Sequence, residues 1–266
     1  MLTLFAKLPI TEDERVWVDE GFRRLDTLLG SHRHLQSKVV LPRDEDFPDP
    51  YRNSPAAAER LFHRICTYML VDSSSIDFEV FQDDAAEMRD LLPISGHSKS
   101  RFPAGLYIPG SSDSDPAYPE QPLQHPKILA ARPVIAVLSS KLRDPLVLIA
   151  TIAHEIGHII LLRDVRLDPE TPDHEPLTDL LTIYLGFGVF TANSALQFRQ
   201  FQNETKQGWS TSRLGYLSQE ILGYALARSA VIRGEEKPQW SRHLSTNVRT
   251  YFTRSAAWLR KNHREP

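Results

Sequence analysis

The chain has 266 residues, of which 41% are hydrophobic and 24% are charged, a balance typical of a globular protein with a sizeable core. The formal net charge is -3, so the sequence lacks the basic excess of a nucleic-acid-binding face, and we expect no nucleic-acid partner. The single cysteine, Cys66, excludes an internal disulfide and any zinc site built from several thiolates.

The length suits one large domain. We expect residues 1–266 to form it, with an N-terminal α/β part to about residue 140 and a mainly helical part over about 141–266. The first residues carry acids too early for a signal peptide and lack a basic region ahead of a long apolar run. The most apolar segment, 146–162, is interrupted by polar side chains, so we predict a core helix there and no membrane span. We therefore expect a cytoplasmic protein with no membrane partner.

Helices and short strands alternate along the first third of the chain. Thr11, followed by three acidic residues, is a good N-cap for an amphipathic helix that Gly30 ends. Alternating apolar and polar residues over 76–82 predict a strand. In order, the predicted elements are a helix over 11–30, a strand over 38–41, a helix from Asn53 or Ser54 to about Val71, a strand over 76–82 and a short helix over 83–92.

The segment from Pro93 to Pro133 is rich in glycine, proline and serine, and we expect a long irregular loop there. Two apolar stretches predict strands, RFPAGLYIP at 101–109 within this segment and PVIAVLS at 133–139 at its end. Further helices are predicted over 174–190, from Ser218 to Gly234 and over 238–262.

The strongest chemical signal is the apolar run LVLIATIAHEIGHIILL, which holds His154, Glu155 and His158 in the spacing H-E-x-x-H. Asp144 as N-cap and Pro145 at the first helical position predict a helix here. On a helix the two histidines lie one turn apart on one face, where both rings can bind one metal ion. An unpaired charge in so apolar a segment costs several kcal/mol, which favours a metal site over incidental core histidines.

A catalytic zinc site needs a third protein ligand besides a position for water. Glu175 and Asp179 lie four residues apart, so they project from one face of the next predicted helix. One carboxylate can bind the ion, and the other can orient a ligand histidine by accepting a hydrogen bond from its second ring nitrogen. Acids also suit a helix N-terminus without any metal role, but the nearby H-E-x-x-H motif favours a site.

HExxH followed by ExxxD on a later helix resembles the gluzincin branch of the zincin metallopeptidases. The HEIGH helix is also similar to that of compact bacterial intracellular zinc peptidases. The resemblance implies three zinc ligands, His154, His158 and Glu175. It further implies that Glu155 is the general base and acid, and that Asp179 orients a ligand histidine.

Two residues depart from the family pattern and leave the third ligand open. Pro176 directly follows Glu175, and Thr178 stands where the family has an alanine before the aspartate. Asp179 and His174 are therefore alternatives to Glu175 as the third ligand.

A zincin also needs a group that stabilises the oxyanion, often a Tyr, His or Arg from outside the motif. The candidates on or before the C-terminal helices are Tyr216, Tyr224 and His243, although each is of a type that commonly packs in the core or lies on the surface. The other histidines in polar or loop segments are expected to be solvated, and these are His32, His34, His63, His97, His125 and His263.

Together these features predict an α+β fold: a mostly helical, zincin-like domain with a small mixed or antiparallel sheet beside the HExxH helix. The expected function is a zinc-dependent peptidase that hydrolyses a peptide or protein substrate with Glu155 as general base. The strand AGLYI or VIAVL is expected to pair with an extended substrate beside the cleft. The alternatives are a catalytically silent zincin-like protein used for partner binding or metal sensing, and a helical protein with a fortuitous motif. The sequence leaves the oligomeric state open.

Overall fold

The structure is a computed structural model, and it describes residues 7–82, 105–108, 132–165, 167–168, 171–203 and 217–262. The predicted short helix over 83–92 and most of the predicted loop over 93–133 lie outside the described residues, so both stay predictions.

Helices dominate the described part of the chain. In chain order the α-helices are α1 (Glu12–Leu29), α2 (Ser31–Gln36), α3 (Pro55–Met69), α4 (Pro145–His158), α5 (His174–Tyr184), α6 (Gly188–Asn203), α7 (Gln219–Ile232) and α8 (Thr246–Asn262). A π-helical turn, Ile159–Asp164, directly continues α4. Short 3-10 turns occupy Ser73–Ser75, Ser139–Arg143 and Gln239–His243.

The described strands form one small mixed sheet, made of β1 (Asp77–Phe81), β2 (Gly105–Ile108) and β3 (Val134–Leu138). Their order is β1-β3-β2, with β1 parallel and β2 antiparallel to β3. The predicted α+β class, mostly helical with a small sheet, is confirmed, and the sheet is mixed. Since β3 lies in the middle, β2 is an edge strand among those described.

The helix predicted over 238–262 begins only at Thr246, after the 3-10 turn Gln239–His243. Two other predicted elements are wrong, and one turn explains both. The segment 38–41 is not a strand, because the N–H of Val40 donates to the carbonyl of Gly186 at 2.9 Å in place of a ladder. The helix predicted over 174–190 is interrupted at Gly186, which has a φ of 92°. A Cβ at this glycine would collide with the carbonyl oxygen of Lys38, so the close approach of the two backbones requires glycine.

The chain divides into two compact units. Unit 1 comprises Met1–Pro42, Glu175–Arg199 and Thr211–Pro266, and unit 2 comprises Arg43–His174 and Gln200–Ser210. Unit 1 draws on both ends of the sequence, and unit 2 spans residue 140, where the sequence suggested a junction between two parts. The grouping of the whole chain into a single domain stays a prediction.

Unit 2 is built around α4, which packs against α3, β2 and β3. The side chains of Leu148, Ile152 and Ile156 are fully buried along this helix. The stretch Pro145–Asp164 is long and apolar enough to cross a membrane, with a mean hydropathy of 1.8, but 83% of that apolar window is buried inside the protein. This burial is that of a core helix, as the sequence predicts.

Unit 1 buries a histidine that the sequence places at the surface. His34 is only 1% exposed, its Nδ1 lies 2.8 Å from the carbonyl oxygen of Tyr184, and its ring packs against those of Phe22 and Tyr184. Burial lowers the pKa of His34, so the ring is neutral at physiological pH. The prediction of a solvated His34 is wrong because the chain turns at Gly30, and α2 then directs this residue inward.

Candidate metal centre

The sequence around α4 explains where the helix begins. The carboxylate of Asp144 accepts hydrogen bonds from the N–H groups of Leu146 and Val147, both at 3.2 Å. Pro145 occupies the first helical position, where no N–H donor is needed. The predicted cap is therefore present, and it fixes the start of the helix that carries the H-E-x-x-H motif.

The two motif histidines face each other across one turn of α4. His154 is 5% exposed and His158 is 7% exposed, and their Nε2 atoms lie 3.1 Å apart. The ring planes are nearly perpendicular, at 83°. Two nitrogens bound to a tetrahedral ion at roughly 2.0–2.1 Å would lie about 3.3 Å from each other. The observed separation fits a shared metal ion as well as it fits an N–H···N hydrogen bond.

A carboxylate completes this pair. One ligand atom from each of His154, His158 and Glu175 lies within 4.8 Å of the others. The residue before Glu175 also lies near the pair, since the ring centroids of His174 and His158 are 5.9 Å apart. Two imidazole nitrogens and a carboxylate oxygen are the donor set of a catalytic zinc site.

The other candidates for the third ligand are not part of this group. α5 begins at His174, so Pro176 falls in the first helical turn, where its missing N–H costs nothing. Neither His174 nor Asp179 belongs to the cluster, and the grouping therefore favours Glu175 as the third ligand.

The helix changes its winding immediately after the motif. The π-helical turn Ile159–Asp164 ends with the N–H of Val165 donating to the carbonyl of Ile160 at 3.0 Å. Arg163 then secures this end of the helix, since it donates to Asp164 at 2.8 Å and to Ser75 at 3.3 Å. Single π-turns inside helices concentrate at functional sites, and the sequence pattern gave no sign of this one.

Glu155 is not a member of the cluster of three and lies against the edge strand β2. The residue is 5% exposed. A Cβ built at Gly105 of β2 would lie 3.1 Å from Oε1 of Glu155, so the carboxylate packs against the strand backbone. This placement beside the ligand histidines, outside the ligand set, is what a general base requires.

Two further rings lie beside His158, that of Tyr107, which the sequence did not single out, and that of His174, an alternative third ligand from the sequence. The ring of Tyr107 in β2 is nearly parallel to that of His158, with 15° between the ring planes and 6.5 Å between the centroids. The ring of His174 lies at 5.9 Å and 53°, and its Nδ1 is 3.1 Å from the carbonyl oxygen of Thr171. The only sequence signal for Tyr107 was its place in the strand AGLYI.

The two oxyanion candidates within the described residues, Tyr224 and His243, have other partners. Tyr216 lies outside the described residues. Tyr224 is fully buried in unit 1, where its hydroxyl donates to Asp19 at 3.0 Å and burial raises its pKa. His243 ends a 3-10 turn of unit 1, and its carbonyl accepts a hydrogen bond from Asn193 at 2.9 Å. No contact of Tyr224 or His243 favours a role in the site.

Asp179 is 2% exposed and has a structural partner within unit 1. Its Oδ2 accepts a hydrogen bond from the N–H of Leu217 at 2.9 Å. Leu217 immediately precedes Ser218, whose hydroxyl caps α7 by accepting from the N–H of Ile221. Asp179 therefore fixes the entry of the chain into α7, and its predicted role in orienting a ligand histidine stays a prediction.

Asp179→Asn separates these two roles. If the carboxylate orients a ligand histidine, zinc affinity should fall roughly 10- to 100-fold. A purely structural role predicts lower thermal stability with unchanged zinc affinity. Complete loss of zinc would instead make Asp179 a ligand. Zinc titration by calorimetry, with thermal unfolding of the same samples, measures both quantities.

The single cysteine is not a rival centre. Cys66 is 1% exposed in α3, and burial raises the pKa of its thiol to about 12. The thiolate that nucleophilic catalysis needs is therefore negligible at neutral pH.

Comparison of the chain with protein-family models, with curated proteins and with solved structures gives no match. The resemblance to zincins therefore rests on the H-E-x-x-H motif and on the cluster of His154, His158 and Glu175. The structure establishes that these residues form a cluster with the donor atoms of a metal site.

Proposed function

We propose that this protein is a zinc-dependent peptidase whose metal is held by His154, His158 and Glu175. The observation that carries the proposal is the convergence of two buried Nε2 atoms, 3.1 Å apart, with a carboxylate within 4.8 Å. A buried imidazole pair and a carboxylate meeting at one point favour a cation, because a cation satisfies the lone pairs of all three donors.

The donor set favours zinc among the common metals. Imidazole nitrogen suits zinc and other transition metals, whereas magnesium and calcium prefer sites made of oxygen atoms. Three protein donors also leave the fourth tetrahedral position for water, as in catalytic zinc sites. When bound, zinc lowers the pKa of its water and polarises the carbonyl under attack.

Glu155 performs the proton transfers of the reaction. Its carboxylate accepts a proton from the attacking water and then delivers that proton to the nitrogen of the departing amine. Because it is 5% exposed and packs against β2, it is sheltered from bulk water between its own helix and the strand.

The edge strand supports a peptide as the substrate. β2 pairs with β3 through one edge, and among the described strands nothing pairs with its other edge. An extended peptide can add to such an edge through main-chain hydrogen bonds. Of the two strands considered from the sequence, AGLYI is therefore the candidate, because VIAVL lies in the middle of the sheet.

The proposal is tested with the purified protein, one equivalent of zinc and a tryptic digest of an unrelated protein. We expect new peptide termini in the mass spectrum of the digest. They should not form when the protein has been treated with a chelator, and they should form again when zinc is restored to it. Bound zinc without hydrolysis would overturn the proposal in favour of a silent zincin-like protein that binds a partner or senses metal. No bound zinc would indicate a fortuitous motif. A peptide or protein substrate and a cytoplasmic location belong to the same proposal.

A further inference from the structure

The strand β2 presents two residues to α4. Because alternate residues of a strand point to the same face, Gly105 and Tyr107 share one face of β2. Gly105 lies against Thr151 and Glu155, and Tyr107 lies against His158. The strand therefore runs alongside the part of the helix that carries the motif, with one residue opposite the predicted base and one opposite a predicted ligand.

Gly105 allows a very close approach of strand and helix. A Cβ at this position would lie 2.5 Å from Cγ2 of Thr151 and 3.1 Å from both Cγ and Oε1 of Glu155. Carbon atoms in van der Waals contact are about 3.5–4.0 Å apart, so no larger side chain fits unless its neighbours move. The Glu155 side chain is thus confined between its own helix and the strand backbone.

Thr151 forms the other side of this contact. The residue is 3% exposed, and its Oγ1 has no hydrogen-bond partner among the residues that the structure describes. Its Cγ2 is the atom that a Cβ at Gly105 would meet first. The methyl group of Thr151 is therefore the first obstacle that a side chain at position 105 would meet.

Tyr107 acts on the plane of a ligand ring. Its ring lies 6.5 Å from that of His158 at 15°, an offset parallel arrangement. The rings of His154 and His174 lie against the same imidazole, with interplanar angles of 83° and 53°. These neighbours restrict rotation of the His158 ring, and the ring plane decides where the lone pair of Nε2 points.

We propose that β2 is the positioning element of this centre. Gly105 sets the place of the Glu155 carboxylate, and Tyr107 sets the ring plane of His158. The first half rests on the proposed peptidase function, whereas the second concerns metal binding alone. Both are positioning residues, because each acts through a side chain of α4.

The Gly105 half is tested by rescue. Gly105→Ala should lower kcat roughly 10- to 100-fold, because an added methyl displaces Glu155, with KM and zinc content little changed. Adding Thr151→Ser removes the obstructing methyl, keeps the hydroxyl and should restore most of kcat. Adding Thr151→Val keeps a methyl group at the contact and should not. A kcat that Gly105→Ala leaves unchanged would contradict the proposal. So would a kcat that Thr151→Ser and Thr151→Val restore to the same extent.

The Tyr107 half is tested with cobalt in place of zinc, since the visible spectrum of Co²⁺ reports ligand geometry. Tyr107→Phe keeps the ring and should preserve the spectrum of the parent protein. Tyr107→Ala should shift its bands and weaken zinc affinity roughly 10-fold. Identical spectra for both variants would show that Tyr107 does not position His158.

The two proposals fail in distinguishable ways. A parent protein that hydrolyses no peptide overturns the peptidase and with it the Gly105 half, while the cobalt spectra of the Tyr107 variants still decide whether Tyr107 positions His158. Thermal unfolding of every variant identifies loss of fold. Should Gly105→Ala fail to fold, the Gly105→Ala/Thr151→Ser double variant decides the Gly105 half: it should fold and keep most of kcat, and a double variant that does not fold or keeps little of kcat would contradict that half.

Discussion

Glu155→Gln is expected to abolish most hydrolysis while leaving the metal in place. The amide has nearly the same shape as the carboxylate but cannot accept the proton of the attacking water. General base catalysis contributes about 100- to 10,000-fold, so kcat should fall by that factor. Glu155 lies outside the cluster of three ligand residues, and the zinc content of the variant should therefore equal that of the parent protein.

A matched control for this variant is Glu59→Gln, the same change at an exposed position of α3 in the same unit. It should leave both kcat and zinc content unchanged. The measurements are initial rates on the best peptide from the digest, and zinc by atomic emission. Hydrolysis that survives Glu155→Gln would remove Glu155 from the role of general base. Loss of zinc in that variant would instead place Glu155 among the ligands.

His158→Ala is expected to lose zinc and the stability that zinc provides. The substitution removes one of two imidazoles whose Nε2 atoms converge at 3.1 Å. A ligand that binds only the folded state stabilises it by about 2.7 kcal/mol at 100 times its dissociation constant. The parent protein should therefore unfold at a higher temperature with zinc than with chelator, and this difference should vanish in the variant.

The control for the histidine is His63→Ala, an exposed residue of α3 whose Nδ1 lies 2.9 Å from the Ser73 hydroxyl. It should retain the full zinc-dependent shift in unfolding temperature. Calorimetric scans of the three proteins, with zinc and with chelator, measure the effect. An undiminished shift in His158→Ala would mean that zinc binds elsewhere, and the centre proposed on α4 would be wrong.

Local sequence rules predicted α4, the helix that carries the H-E-x-x-H motif, well. Asp144 and Pro145 form the expected cap, and the i, i+4 spacing brings His154 and His158 together as helical geometry requires. These features depend on contacts within a few residues, which a pattern in the sequence reports directly. The resemblance of HEIGH to zincin motifs adds the roles, and those stay predictions.

The surroundings of this helix depend on contacts distant in sequence, and there prediction was weaker. The sequence placed a strand at AGLYI but could not show that Gly105 would meet Glu155, or Tyr107 His158, because strand periodicity defines faces and not neighbours. The same limit explains the error at 38–41. That segment has the composition of a strand, yet its backbone hydrogen bond goes to the turn at Gly186.

The third ligand illustrates the limit most clearly. Glu175 and Asp179 lie on one helix face, so spacing alone leaves both as candidates. The structure separates them through long-range contacts. One belongs to the cluster with the two histidines, and the other receives the N–H of Leu217, which is distant in sequence.

The most direct test is anomalous diffraction at the zinc absorption edge from crystals of the protein grown with one equivalent of zinc. We predict one strong peak, which marks a zinc ion within bonding distance of Nε2 of His154, Nε2 of His158 and a carboxylate oxygen of Glu175. The fourth ligand of this ion should not come from the protein. A map without a peak at these atoms, or a zinc ion enclosed by four protein ligands, would contradict the proposed enzyme.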